Sequence, residues 1–494
     1  MQYVIEKQRE TPVIATPDVL VAGAGPAGIG AAIAAARTGA NTLLVERYGI
    51  VGGNMTVAMV NPFFTFHDIH GRQVIKGIAE ELVRRMTARG VSPGHVTDLT
   101  FDNASMTPFD PEGCRAILFE MLEEAGVEIL LHSLVVGTQV EDGFIRSIMI
   151  ENKSGRQAIC PRYVIDCSGD ADVAALAGAP FTAGRDEDGA MQPATLYFRV
   201  GGVDLPALRQ WMKTNRQLLK DSPSDDEIDR QQALALLGLN GLVGEAIRAG
   251  ELDPEVAPRI LMYELPNGQF SVNTTRLQKI DGTDAGNLTG AEIMLRKQVL
   301  QVHAFLKKQI GGFAASHIVD TGMQVGIRET RRIQGDYTLT EKDILSGRSF
   351  EDGISCGTFA IDIHPPHGRT QLFTGSGRAV YEIPYRALLP QGMHNLLVAG
   401  RCISATHAAF GSIRVMATCM AAGQGAGVAA GMLAGSGTAV REISPADLRR
   451  ELVRQGQYLL NAGLEEDVDE RLMLKRTGGS GEKAGHYNPF SDLK

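Results

Sequence analysis

Residues 18–46, DVLVAGAGPAGIGAAIAAARTGANTLLVE, constrain this chain more than any other stretch. An apolar run ends in a glycine turn, an Ala-rich segment carries on to Gly39, and a second apolar run, TLLV, ends on Glu46. The order is strand, turn, helix, strand. Gly23, Gly25 and Gly28 fit G-x-G-x-x-G, and each has its own physical reason. Gly23 permits a tight turn, Gly25 leaves room for a pyrophosphate, and Gly28 lets helix and strand pack closely. Pro26 and Ala27 open the helix, whose free N–H groups and positive dipole end then face the phosphates. Glu46, eighteen residues past Gly28 and followed by Arg47, stands where a carboxylate accepts the hydroxyls of an adenosine ribose. The expectation is an ADP-containing cofactor on an α/β, Rossmann-like domain with a parallel sheet in three layers.

At 494 residues the chain has room for two or three domains. Its net charge of −9 argues against nucleic acid, which needs clustered Lys and Arg. The opening MQYVIEKQRE is charged early and does not read as a secretory signal. Residues 415–435 carry no charge but are mostly Ala and Gly around Gln424, which reads as a closely packed interior helix rather than a membrane span. The six cysteines show no C-x-x-C spacing, so a reduced, cytoplasmic setting is expected.

Residues 111–126 form an amphipathic helix, with Asp110 as N-cap and Cys114, Ile117, Leu118, Met121, Leu122 and Ala125 on one face. A hairpin through Asp142-Gly143 and another around Pro266-Asn267-Gly268 are expected, as is a long helix over 290–309. The acidic stretch 221–229 reads as a surface loop. Apolar strands running into YVIDCSGDADVA and NLLVAG repeat the first grammar. The nucleotide domain is thus expected in pieces, 1–60, 110–180 and 381–440. An inserted α+β substrate or cap domain takes 61–109 and 181–380, a helical segment 441–475, and a flexible tail 476–494.

These blocks resemble the glutathione-reductase-type flavoproteins, and more closely the broad family of FAD-dependent oxidoreductases. The resemblance rests on VLVAGAGPAGIGAA, VERYGIVGGNMT, VIDCSGDADVA, GIRETRRIQGDYTLTEKD, IDIHPPHG, YEIPYRALLP and NLLVAGRCISATHAAFGSIRVMATCMAAGQGAG. It implies FAD, held also by Gly52, Gly53, Thr56, Val136 and Gly169. In the C-terminal block it adds Gly400, Arg401, Ser404 and the small-residue helix with Gly423, Gln424 and Gly427. The N-terminal end of that helix is expected at the flavin N1–C2 carbonyl, where a positive dipole eases hydride acceptance.

Four residues are expected to carry chemistry: His407 as base or flavin partner, Arg328 as an anion clamp, Arg414 as a charge neutraliser and His364 as an active-site histidine. Tyr385-Arg386 is expected to line the cavity. Asp362, His364 and His367 have too loose a spacing for a metal site, and none is expected. Cys402 and the nearby histidines leave a covalent flavin link open. The leading function is oxidation of a small polar substrate by hydride transfer to flavin N5, the electron acceptor being unknown. The alternative is a monooxygenase using NAD(P)H and O2. The partners expected are a small-molecule substrate and a second copy of the chain, without nucleic acid or membrane.

Overall fold

The computed structural model describes residues 4, 8–101, 103–364, 371–373 and 379–473; the expected tail at 476–494 and His367 lie outside them. The dinucleotide unit opens with β1 (Val19–Ala22), α1 (Pro26–Arg37) and β2 (Thr42–Val45), and continues with α2 (Pro111–Glu124) and β3 (Glu128–Leu130). Three antiparallel strands follow, β4 (Leu134–Glu141), β5 (Phe144–Asn152) and β6 (Gly155–Ile159), before β7 (Tyr163–Asp166). The cap contributes β8 (Phe198–Gly201), β9 (Ala235–Gly238), β10 (Ile260–Glu264), β11 (Phe270–Val272), α3 (Ala285–Gln309) and β12 (His317–Thr321). The chain then returns with β13 (Leu396–Val398), α4 (His407–Ile413) and α5 (Met416–Leu433).

The central sheet is parallel in the order β13-β7-β1-β2-β3. Alternation decides its two faces. Val19, Val21, Leu44, Ile165 and Leu397 pack among α1, α2 and α5, while Leu20, Ala22, Leu43, Val45, Val164, Leu396 and Val398 pack on Ile145, Ile148, Ile150 and Ile159 of the antiparallel layer. Both faces are thereby covered, as a parallel sheet requires. The strand order turns back between β1 and β7, and a ligand cleft is expected at the carboxyl ends there.

Helix α2 starts on Asp110, whose carboxylate accepts from Gly113 N at 2.9 Å, and it buries Cys114, Ile117, Leu118, Met121 and Leu122. Both hairpin turns form where the residues predict them. The acidic stretch differs: Asp225–Asp229 is a helical turn, because Ser224 and Glu227 close a reciprocal capping box. The cap sheet runs β9-β10-β11-β8-β12. One face packs on Ala291, Leu295, Val299, Val302 and Phe305 of α3. The other carries Leu237, Leu261 and Tyr263 against Phe64 and Phe101.

Segment 61–109 divides between the two cores, because helix Ile78–Ala88 buries Ile78, Leu82 and Met86 with α1 and α2. Ile344, Ile354 and Ile361, expected with the cap, join that same core.

The small residues of α5 serve a backbone-to-backbone crossing with α1. A Cβ on Gly423 would sit 2.0 Å from Ala27 O, and one on Gly427 2.2 Å from Ala31 O. From the other side, a Cβ on Gly30 would meet Met420 O at 2.3 Å. Gly423→Val is therefore expected to destabilise the fold by about 3 kcal/mol or more, read as a lowered midpoint in thermal denaturation. An unchanged midpoint would contradict the packing. Among the described residues no single helix is long and apolar enough to cross a membrane, and α4 and α5 meet at 93°.

Candidate active site

The carboxyl ends of four parallel strands open into one cleft of about 1290 Å³, open to solvent. Ala22 and Gly23 line it after β1, Glu46 and Arg47 after β2, Cys167 to Asp170 after β7, and Ala399 to Arg401 after β13. Gly23 sits at φ +99°, and a Cβ there would lie 2.6 Å from Cys167 O, so both the turn and the neighbouring strand demand glycine. Gly25 is the opposite case: a Cβ would meet nothing within 4 Å, because the position faces the cleft. Pro26 and Ala27 line the cleft at the start of α1, whose first turn holds no acidic side chain. The residues thus leave a backbone cradle at a positive helix end, which fits a pyrophosphate.

Glu46 is 6 % exposed, and its two carboxylate oxygens accept from Ala24 N at 2.7 Å and Tyr48 N at 3.0 Å. Each oxygen keeps a second lone pair for a ribose hydroxyl. Gly53 approaches Gly25 so closely that a Cβ would stand 2.7 Å from its Cα. Arg401 Nη2 donates to Asp170 Oδ1 at 2.6 Å, and Thr330 Oγ1 donates to the same oxygen at 2.8 Å. The loop after β7 is thereby tied to the cap while Gly169 still lines the cleft.

A second lobe of about 1200 Å³, also open to solvent, shares Asn54, Ile327, Arg401, Arg414 and Met416 with the first. Its walls are aromatic and apolar on one side (Phe64, Phe101, Tyr197, Leu261, Phe359) and polar or charged on another (Arg259, Arg276, Arg328, Asp362, His364, Arg414). Arg328 Nη1 donates to Pro193 O at 2.7 Å and Thr195 Oγ1 at 2.6 Å. Burial, and next the nearby Arg414, pull its guanidinium down to about 10, which still leaves it charged at pH 7.

Asp362 Oδ2 accepts from His364 Nε2 at 3.0 Å and from Arg414 Nη2 at 3.0 Å. Burial lowers the His364 pKa to about 4 against the pull of Asp362. For Asp362 the balance is reversed: burial raises it, but His364, Arg414 and Arg328 together hold it well below the usual carboxylate range. The result at pH 7 is a neutral imidazole beside a carboxylate. With Nε2–H donated to Asp362, the ring lone pair sits on Nδ1. Asp362 Oδ1 and Arg414 Nε, both buried, have no hydrogen-bond partner among the described residues.

Several expected residues go elsewhere. His407 lines neither lobe; it begins α4, and its Nδ1 is captured at 2.9 Å by Glu329 Oε1. Glu329 is fully buried, pairs with Arg332 and accepts from Gln192 N at 3.0 Å. Ser404 is 1 % exposed and spends its hydroxyl on Thr338 at 3.1 Å. Thr56 is fully buried and donates to Val51 O. Gln424 is a buried bracket, accepting from Ile78 N at 2.9 Å and donating to Gln455 O at 3.1 Å. Gly423 and Gly427 belong to the helix crossing, and Gly52 to its own turn, where a Cβ would lie 2.4 Å from Thr56 Oγ1; Gly28, as expected, lets α1 pack on the strand end, where a Cβ would lie 1.8 Å from Gly23 O. Strand alternation puts Val135 rather than Val136 in the cleft. Tyr385 bonds to Val440 O at 2.9 Å, and Arg386 to Asp352 at 2.9 Å, away from both lobes. Cys402 is buried in the core between the two sheets, and burial keeps its thiol protonated.

The structure brings together Gly23, Gly25, Pro26, Ala27, Glu46, Arg47, Gly53, Gly169 and Gly400 in the first lobe, Arg328 and His364 in the second, and Arg401 and Arg414 in both. Asn54, Arg259, Arg276 and the phenylalanine wall were missed. Asn54 lies within the block VERYGIVGGNMT, whereas Arg259, Arg276 and the phenylalanines belong to no motif.

A model of the family described as FAD dependent oxidoreductase matches residues 18–452. The chain belongs to that family, and it is an FAD-dependent oxidoreductase. A urocanate reductase from Eggerthella lenta is 30% identical over 165 residues, 31% of this chain; the match spans only 25% of that protein. Among solved structures, a geranylgeranyl bacteriochlorophyll reductase-like protein from Thermoplasma acidophilum is 13% identical at TM-score 0.43, covering 90% of this chain and 84% of its own. A flavin-dependent brominase triple mutant is 13% identical at TM-score 0.45, covering 88% and 84%.

Proposed function

We propose that this FAD-dependent oxidoreductase oxidises a small polar substrate bound in the second lobe. One observation carries the reading. Arg414 and the start of α5 border both lobes, whereas the Asp362–His364 pair and Arg328 border only the second. When bound, FAD supplies the hydride acceptor at flavin N5.

The chain's own groups do the rest. Neutral His364 takes the proton of a substrate hydroxyl or amine as the adjacent C–H bond gives up its hydrogen and electron pair, so the product is a carbonyl or imine. Asp362 fixes the tautomer of His364 and offsets the charge the ring acquires. Arg328 donates to the substrate's polar group, and the positive end of α5 favours negative charge at the junction.

The test is anaerobic stopped-flow absorbance with NADH and NADPH, then with hydroxy acids, amines and polyols. Bleaching of the flavin band by a compound of the second set, and not by nicotinamides, is the expected result. Rapid bleaching by a nicotinamide would replace this reading with the NAD(P)H- and O2-using monooxygenase.

A further inference from the structure

We propose that Arg259 and Arg276 form a carboxylate subsite, so that the substrate is an acid with an aromatic body. This rests on the second lobe being the substrate cavity. Among the described residues, five guanidinium groups line that lobe against a single carboxylate, Asp362. Two of the five are answered: Arg401 by Asp170 and Arg414 by Asp362. Arg259, Arg276 and Arg328 have no salt bridge among the described residues. Three half-buried cations in one cavity repel one another, and a bound anion relieves that.

Arg276 is built into place. Gln298 of α3, 1 % exposed, brackets its backbone, accepting from Arg276 N and donating to Arg276 O, each at 2.9 Å. Its Nε donates to Glu255 O at 3.0 Å, which holds the side chain, and its Nη atoms make no hydrogen bond among the described residues. Burial lowers its pKa, the Glu255 carboxylate nearby raises it, and Arg259 lowers it. The Glu255 carboxylate itself is turned to Gln278 N at 2.8 Å. Arg259 lies over the Phe101 ring, its guanidinium carbon 5.5 Å from the centroid. That cation–π contact holds the guanidinium over the ring, and no hydrogen bond among the described residues takes up its fork.

The same wall selects the body of the ligand. Phe64 meets Phe101 edge-on at 5.7 Å and lies 5.9 Å from Phe359, and all three line the lobe with Tyr197. Burial pushes the Tyr197 hydroxyl up to about 12, so it stays neutral and adds no repulsion to an anion. An aliphatic hydroxy acid or a sugar acid would leave that ring surface unfilled. An aromatic carboxylate covers it, with its acid on Arg259 and Arg276.

The experiment is equilibrium titration of the FAD-loaded enzyme with benzoate, phenylacetate and 3-phenylpropionate, and with their uncharged amides, followed by the flavin absorbance difference spectrum. At least one carboxylate is expected to bind about tenfold or more tighter than its amide. Arg259→Gln/Arg276→Gln is expected to erase that preference while keeping FAD content and circular dichroism. Arg259→Lys/Arg276→Lys keeps the charge, loses the fork, and should recover part of it. Equal binding of acid and amide, no binding of any acid, or a preference that survives the double Gln variant would each overturn the subsite. The titration involves no turnover. A monooxygenase would still show the preference, and a true dehydrogenase lacking the subsite would not.

Discussion

The Gly25→Glu protein is expected to purify folded and without flavin. A Cβ at this position meets no atom within 4 Å, so the first atom of the new side chain disturbs no packing. Its carboxylate sits at the positive end of α1, where a negative charge is welcome to the fold. The same carboxylate occupies the anion cradle and repels a pyrophosphate at short range. FAD affinity should fall at least a hundredfold, or about 3 kcal/mol. The flavin-to-protein absorbance ratio reads the first effect and far-UV circular dichroism the second. A normal flavin content would remove the cradle from the cofactor site.

His364→Ala should retain FAD yet slow flavin reduction by the true substrate about 10²- to 10⁴-fold. Asp362→Asn is expected to lose a comparable factor, because an amide no longer dictates which ring nitrogen carries the proton. The pH profile gives an independent check. Burial sets the His364 pKa near about 4. The base is therefore competent above that value and lost as the pH falls through it. Reduction by the wild-type enzyme should stay flat down to about pH 5, whereas an unshifted histidine would begin to fail near about 6.5. A rate unchanged in His364→Ala would return the proton transfer to some other group.

The cofactor half of this molecule was legible because dinucleotide binding is a backbone affair. Glycines, a helix start and a distal acid are one-dimensional signals, and Gly23, Gly25 and Glu46 could be read from spacing alone. The substrate half is assembled differently. Arg259 precedes one strand, Arg276 follows another, and Phe64 and Phe101 come from a segment far upstream, so no window of sequence contains the cavity. His407 misled for a related reason. Its neighbourhood in the chain is that of a flavin contact, but a buried acid 78 positions upstream holds the ring. The Ala/Gly run of α5 was readable as close packing, though not which surface it met.

That surface has a consequence. Helices α1 and α5 touch with glycine against carbonyl, so no rotamer stands between them to relax or be replaced. One presents its N-terminus to the cradle after β1, the other to the junction of the two lobes. The pair works like a caliper locked at one opening: the distance between the two helix ends is a property of the main chain. Loops that bear the substrate-facing arginines and phenylalanines can then diverge from one descendant to another, changing what is oxidised, while the gauge that seats the cofactor stays at its setting.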